Sequence, residues 1–87
     1  MPIQVELYGI PRHRAGVAGV EVEADLLGDV FAELGRLLPK LNDVCLDGNR
    51  LRGGFLANIN GRAFVTDPAT PLHAGDVVLV LSSDVGG

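Results

Sequence analysis

The 87 residues carry 7 Lys and Arg against 11 Asp and Glu, a formal net charge of −4, so the basic footprint of a nucleic-acid binder is absent. With 47% hydrophobic and 21% charged residues, the chain suits one domain around one core and is too apolar for a disordered segment. A single Cys excludes an internal disulfide and any thiolate zinc cluster, and no apolar run is long enough to span a bilayer; a cytoplasmic protein with no membrane partner is expected.

Apolar residues take the odd positions of Ile3-Gln4-Val5-Glu6-Leu7-Tyr8 and the even positions of Val20-Glu21-Val22-Glu23-Ala24. Period two with acids between the aliphatics marks two half-buried strands. The link GIPRHRAG holds two Gly and a Pro, and it predicts a hairpin with a fairly long loop. Arg12-His13-Arg14, inside that link, is the one dense cationic run. The period then lengthens. Leu27, Val30, Phe31, Leu34, Leu37, Leu38 and Leu41 recur at intervals of three and four, which is one face of a helix. Asp25 is the expected N-cap, Asp29 favours the positive end of the helix dipole, and Pro39 ends the helix at Leu38. Gly28 and Gly35 each cost this helix about 1 kcal/mol relative to Ala.

A polar connector follows over residues 42–54. Phe55, Ala57 and Ile59 then alternate with Leu56, Asn58 and Asn60, a strand pattern. Asn60-Gly61 is the strongest hairpin signal, since both turn positions of a type I′ turn need positive φ, and residues 62–66 would form the partner strand. TDPATPLHAGD is a second turn-rich connector. Val77-Val78-Leu79-Val80-Leu81 has no polar alternation and reads as a central strand covered on both faces. One helix across a mixed sheet of about five strands is a two-layer α+β domain, expected over residues 1–81, with 82–87 as a tail.

Few side chains offer chemistry. Cys45, in Val44-Cys45-Leu46, has no second Cys or nearby His and reads as a small buried hydrophobe. His13 reads as a solvated loop residue and His73 as a turn residue, so a histidine metal site has little to stand on. Glu6, Glu21, Glu23 and Asp25 fall on the wet strand face or at a cap, not in a catalytic pair. The run from Gly53 to Asn58 precedes a strand, whereas a phosphate-cradling loop feeds a helix. No catalytic residue and no metal site is assigned.

The tail is different. Ser82-Ser83-Asp84-Val85-Gly86-Gly87 cannot fill a core and should leave the domain as a mobile string reaching about 20 Å. Its tip offers the α-carboxylate of Gly87. Without side chains at Gly86 and Gly87, it can pass through a slot that any Cβ would block. Asp84, Val85 and Gly86 are the segment that would lie in a partner's channel.

The strand-strand-helix-strand order resembles the β-grasp, or ubiquitin-like, fold. The run Ala24-Asp25-Leu26-Leu27-Gly28-Asp29-Val30 resembles that fold's helix start. Asn60-Gly61, Thr70-Pro71-Leu72, Gly75-Asp76-Val77-Val78 and Gly86-Gly87 resemble the MoaD/ThiS-like sulfur carriers, across essentially the whole chain. These are the small subunit of molybdopterin synthase and the thiamine-pathway carrier; the length is more similar to the molybdopterin type. The resemblance implies that an E1-like adenylating enzyme, using ATP and Mg, activates the Gly87 carboxylate for conversion to a thiocarboxylate. A sulfur-acceptor synthase subunit would then take the sulfur for cofactor biosynthesis, and this chain would bind no cofactor itself. Ser82-Ser83-Asp84-Val85 departs from the prolines of the molybdopterin type, which keeps thiamine, cysteine and other sulfur pathways open. A β-grasp interaction module and a ubiquitin-like modifier are the other readings.

Overall fold

The first two alternating stretches pair as the pattern predicts. In the computed structural model, which describes residues 1–83, β1 (Pro2–Leu7) and β2 (Gly19–Glu23) run antiparallel with Ile3 opposite Val22 and Val5 opposite Val20. Their link is not a loop: α1 (Ile10–Ala15) occupies most of it. Pro11 sits in the first turn, where its missing N–H is no loss, and Gly16, at φ 78°, closes the end by donating to the Arg12 carbonyl at 3.0 Å. The same Gly and Pro that suggested a loop are the start and stop marks of a short helix. Arg12, His13 and Arg14 therefore stand exposed on a helix.

The main helix, α2 (Leu27–Leu37), buries Leu27, Val30, Phe31 and Leu34 as expected. Two of the predicted face residues depart from it. Leu37 is exposed, and Leu41 reaches the core from a separate 3₁₀ turn, Pro39–Leu41. Asp25 is not the cap either. Leu26 holds that position, and the Asp29 carboxylate reaches back to accept the N–H groups of Leu26 (3.0 Å) and Asp25 (3.2 Å). The next two helix donors, Leu27 and Gly28, bond to the carbonyls of Thr70 and Pro68, both at 2.9 Å. A Cβ on Gly28 would lie 2.8 Å from Pro68 Cβ, so the glycine is what lets this connector cap the helix.

Residues 42–54 are more than a polar connector. They contain a small hairpin, β3 (Leu46–Asp47) and β4 (Arg50–Leu51), turning at Gly48 with φ 62°, and they bury Cys45 and Leu46. β5 (Phe55–Ile59) and β6 (Ala63–Phe64) flank Asn60 and Gly61, whose φ values of 58° and 70° match the predicted turn. Only two residues of the expected 62–66 strand pair.

β7 (Val77–Ser82) runs parallel to β1 and antiparallel to β5, giving the mixed sheet order β2-β1-β7-β5-β6. It is central, as predicted, but not covered on both faces. Val78 and Val80 are buried in the core with Phe31 and Leu34, whereas Val77, Leu79 and Leu81 are half-buried. The strand also outruns the expected boundary at residue 81. Ser82 pairs with Phe55, and the Ser83 N–H donates to the Gly54 carbonyl at 2.8 Å. Among the described residues no helix is long and apolar enough to cross a membrane.

Candidate functional site

Alternation divides β7 between two environments: Val78 and Val80 point toward α2, and Val77, Leu79 and Leu81 point the other way. The register extends that second set across the sheet. Glu6, Leu79, Asn58 and Phe64 stand side by side in one row, and Leu81 stands beside Leu56 in the next. Phe64 is 64% exposed, a large aromatic left in water at the end of the first row. Leu79, Leu81, Leu56 and Phe64 are apolar residues that β7, β5 and β6 present on this face, and exposed apolar surface is a feature of docking sites.

Asn58 shares this face. It is buried, and its Oδ1 has no hydrogen-bond partner among the described residues. At the other end of the face, the Tyr8 hydroxyl donates to the Glu6 carboxylate at 2.6 Å, and that bond raises the phenol above its ordinary range. Glu21 and Glu23 are exposed on β2.

The chain passes beyond the described residues at one edge of this face. The Tyr8 N–H donates to the Val80 carbonyl at 3.0 Å, and Gly9, at φ 61°, lies where a Cβ would stand 3.3 Å from Ser82 Oγ. Asp84, Val85, Gly86 and Gly87, on which the sequence placed its functional expectations, lie outside the described residues.

Among the remaining candidates, Cys45 is fully buried and its thiol is pushed up to about 11 by burial, so it fills the core as a small hydrophobe. His13 and His73 are exposed. The backbone N–H of His73 donates to Asp76 Oδ2 at 2.8 Å, and Asn60 Nδ2 donates to the other carboxylate oxygen at 3.0 Å. Those two bonds, the Asn60 one foremost, hold the Asp76 carboxyl below its ordinary range. Asn60 Oδ1 in turn accepts the Val77 N–H at 2.8 Å, so one side chain turns the β5–β6 hairpin and fixes the start of β7. The sequence offered the turn signal at Asn60 but nothing to reveal this second role. Among the described residues no three His, Cys, Asp or Glu groups gather closely enough to hold a metal ion.

No family model matches the chain, and no curated protein matches it in sequence. Solved structures do. SAMP1 from Haloferax volcanii is similar over 100% of both chains at 23% identity, with a TM-score of 0.83. A chain of the BexX/CysO complex from Amycolatopsis orientalis aligns over 98% of this chain and 99% of its own, at 16% identity and a TM-score of 0.80. One from the complex of subunits 1 and 2 of the molybdopterin-converting factor from Helicobacter pylori aligns over 100% of both, at 22% identity and a TM-score of 0.70. The chain has the ubiquitin-like β-grasp fold. The β-grasp arrangement is thus α2 across the five-stranded sheet, with α1 and the β3–β4 hairpin lying in its connections.

Proposed function

We propose that this chain is a sulfur carrier, a protein substrate and not itself an enzyme, acting through the C-terminal carboxylate of Gly87. The observation that carries the reading is end-to-end similarity to SAMP1 and to a molybdopterin-converting-factor chain, in a sequence whose last two residues are Gly86 and Gly87. In the proposed cycle an E1-like partner binds ATP and Mg. A Gly87 carboxylate oxygen attacks the α-phosphorus, pyrophosphate leaves, and an acyl adenylate forms. Hydrosulfide, or a donor's equivalent of it, then attacks the acyl carbon and AMP leaves with the bonding electrons, so the carboxylate returns as a thiocarboxylate. Adenylation supplies the leaving group, and docking controls where the sulfur goes.

A sulfur-acceptor synthase subunit would dock on the open sheet face around Leu79, Leu81 and Phe64. The solved neighbours include carriers of this fold in two-protein complexes, which supports a partner of that kind. The molybdopterin type is favoured among the pathways, since a molybdopterin-converting factor is among those neighbours. A second reading, conjugation of Gly87 to a lysine, is favoured by the neighbours named small archaeal modifier protein 1.

Intact-mass analysis of the protein from its native cells separates these readings. A terminal oxygen-to-sulfur increase at Gly87 supports the carrier, an isopeptide adduct the modifier, and an unaltered terminus in every state an interaction module. A mass that extends beyond Gly87 overturns both terminal chemistries. Gly86→Val is expected to abolish the increase while leaving thermal unfolding unchanged, because the Cβ obstructs the partner's channel and not this fold.

A further inference from the structure

The cationic run Arg12-His13-Arg14 lies on α1, and the 3₁₀ turn Pro39–Leu41, which packs against that helix, adds Lys40. His13, Arg14 and Lys40 line one shallow concavity, and His13 borders a second with Arg12. Among the described residues Arg12, Arg14 and Lys40 form no ion pair. Arg36, by contrast, is held by Glu33 at 2.7 Å, and Arg52 by the carbonyls of Leu46 and Asn42. Arg50 on β4 and Arg62 in the β5–β6 turn also lack an ion pair among the described residues, so three of the five unheld cations of a chain of net charge −4 share the α1 and 3₁₀-turn side.

Two neighbouring features give the patch a direction. Leu37, which departs from the core, is 41% exposed, and it forms an apolar groove with Ala15, Leu38 and Pro39 beside Lys40. α1 also contacts β7, and Gly9 just before it faces Ser82, so the patch flanks the point where the chain leaves the described residues.

We propose that this surface docks an acidic, apolar-centred face of the adenylating protein that takes up the Gly87 tail. The inference rests on the carrier reading above. A lone phosphate suits the patch poorly, since its cations are exposed, sit on two elements and converge on no buried donor. Nucleic acid is disfavoured by the negative charge of the whole chain. An acidic protein face matches both the cations and the groove: the charges speed and orient the encounter, and the apolar centre holds it. The concavity of His13, Arg14 and Lys40 includes no residue of the Leu79 row, whereas Arg12 shares another with Glu6 of that row, so the patch adjoins the open sheet face at Arg12 and is centred away from it.

The patch is read directly by NMR titration of the full chain with a poly-glutamate peptide at low salt. Amide shifts confined to residues 10–16 and 37–41 are expected, lost in a variant combining Arg14→Glu with Lys40→Glu, and absent with poly-lysine. Inorganic triphosphate and an oligothymidylate form separate arms, and tighter binding of either at these residues overturns the assignment to a protein. The link to the tail is read from sulfur uptake at Gly87 in a desalted extract of the native cells supplied with ATP and cysteine. The double charge reversal is expected to raise KM about tenfold with kcat unchanged, and high salt should erase the difference. An unchanged KM overturns the docking inference and leaves the carrier reading intact. No uptake by the unaltered chain, with poly-glutamate still bound, overturns the carrier reading and with it this partner.

Discussion

Around β7 the two faces of the sheet are built from the same aliphatic residues and have opposite fates. On one, Val5, Val78 and Val80 are fully buried beneath α2; on the other, Val77, Leu79 and Leu81 are half-covered and the row ends at an exposed Phe64. Within β7, side-chain type does not separate them. The number of layers does, because a single eleven-residue helix covers one face of a five-stranded sheet and leaves the other to a partner or to water. Substitutions on the two faces should therefore differ sharply in what they damage.

The largest effect belongs to the covered face. Phe31 is fully buried where α2 meets the sheet. Phe31→Ala is expected to cost about 3–5 kcal/mol in urea unfolding, a large share of what a small domain possesses. A loss below about 1 kcal/mol would mean that the core is loosely packed and the contrast between faces is false.

Next comes the device that holds α2 in place. Gly28→Ala gains helix propensity of about 1 kcal/mol, yet it drives a Cβ to 2.8 Å from Pro68 Cβ and 3.1 Å from the Pro68 carbonyl. A proline ring cannot swing aside, so a net loss of about 1–3 kcal/mol is expected. Gly35→Ala is the control. Its Cβ meets the Asn42 side-chain oxygen at 2.6 Å, a flexible group able to move, and the change should be close to neutral. Equal effects at the two glycines would show that propensity alone governs the helix.

A smaller effect concerns which residues face which way. Sliding β7 by one residue would exchange its two faces, and the Asn60–Asp76 clasp at its start opposes that. Because the folded Asp76 carboxyl is held below its ordinary range, its contribution is complete above that range and is lost as pH falls through the lowered folded value. Asp76→Asn should lower the neutral-pH unfolding midpoint and flatten the acid limb of the stability curve. An unaltered acid limb removes Asp76 from the clasp. The group is near the surface, so solvent screening keeps the effect modest.

What the sequence disclosed follows from how far each signal reaches along the chain. The strands β1 and β2 were legible because acids alternate with their aliphatics, and Asn60-Gly61 because a turn is a local event. The run Val77 to Leu81 showed a strand, but a continuous apolar run carries no mark of which side is covered. α1 was hidden because Gly and Pro punctuate loops and short helices alike. The pairs in β3–β4 and β6 are too short to show a period. Gly28 was legible only as a cost, since its reason, Pro68, lies far along the chain. Arg12-His13-Arg14 was visible as a run; that Lys40 and Leu37 join it depends on how α1 meets the 3₁₀ turn. The open face around Phe64 was not singled out at all, and neither was Asn58, which is buried on it.

Phe64 gives the smallest effect on stability and the sharpest test of the comparison. It lies on the two-residue strand β6, 64% exposed, where replacement removes little buried area from the isolated chain. Phe64→Ser is expected to change unfolding by no more than about 0.5 kcal/mol, the ordinary range for a surface position. Docking should respond differently, because an aromatic that becomes buried in an interface commonly carries more than about 2 kcal/mol of binding. If the proposed carrier cycle holds, sulfur uptake at Gly87 in native-cell extract should continue at its normal rate, while consumption of the resulting thiocarboxylate slows at least about tenfold. If Phe64→Ser unfolds the domain, the two faces form one structural unit and the contrast between them fails. If the domain stays folded and both rates are unchanged, the exposed row is surface without a partner. Slower uptake together with normal consumption would move the adenylating protein onto the sheet face and leave the α1 patch without a role.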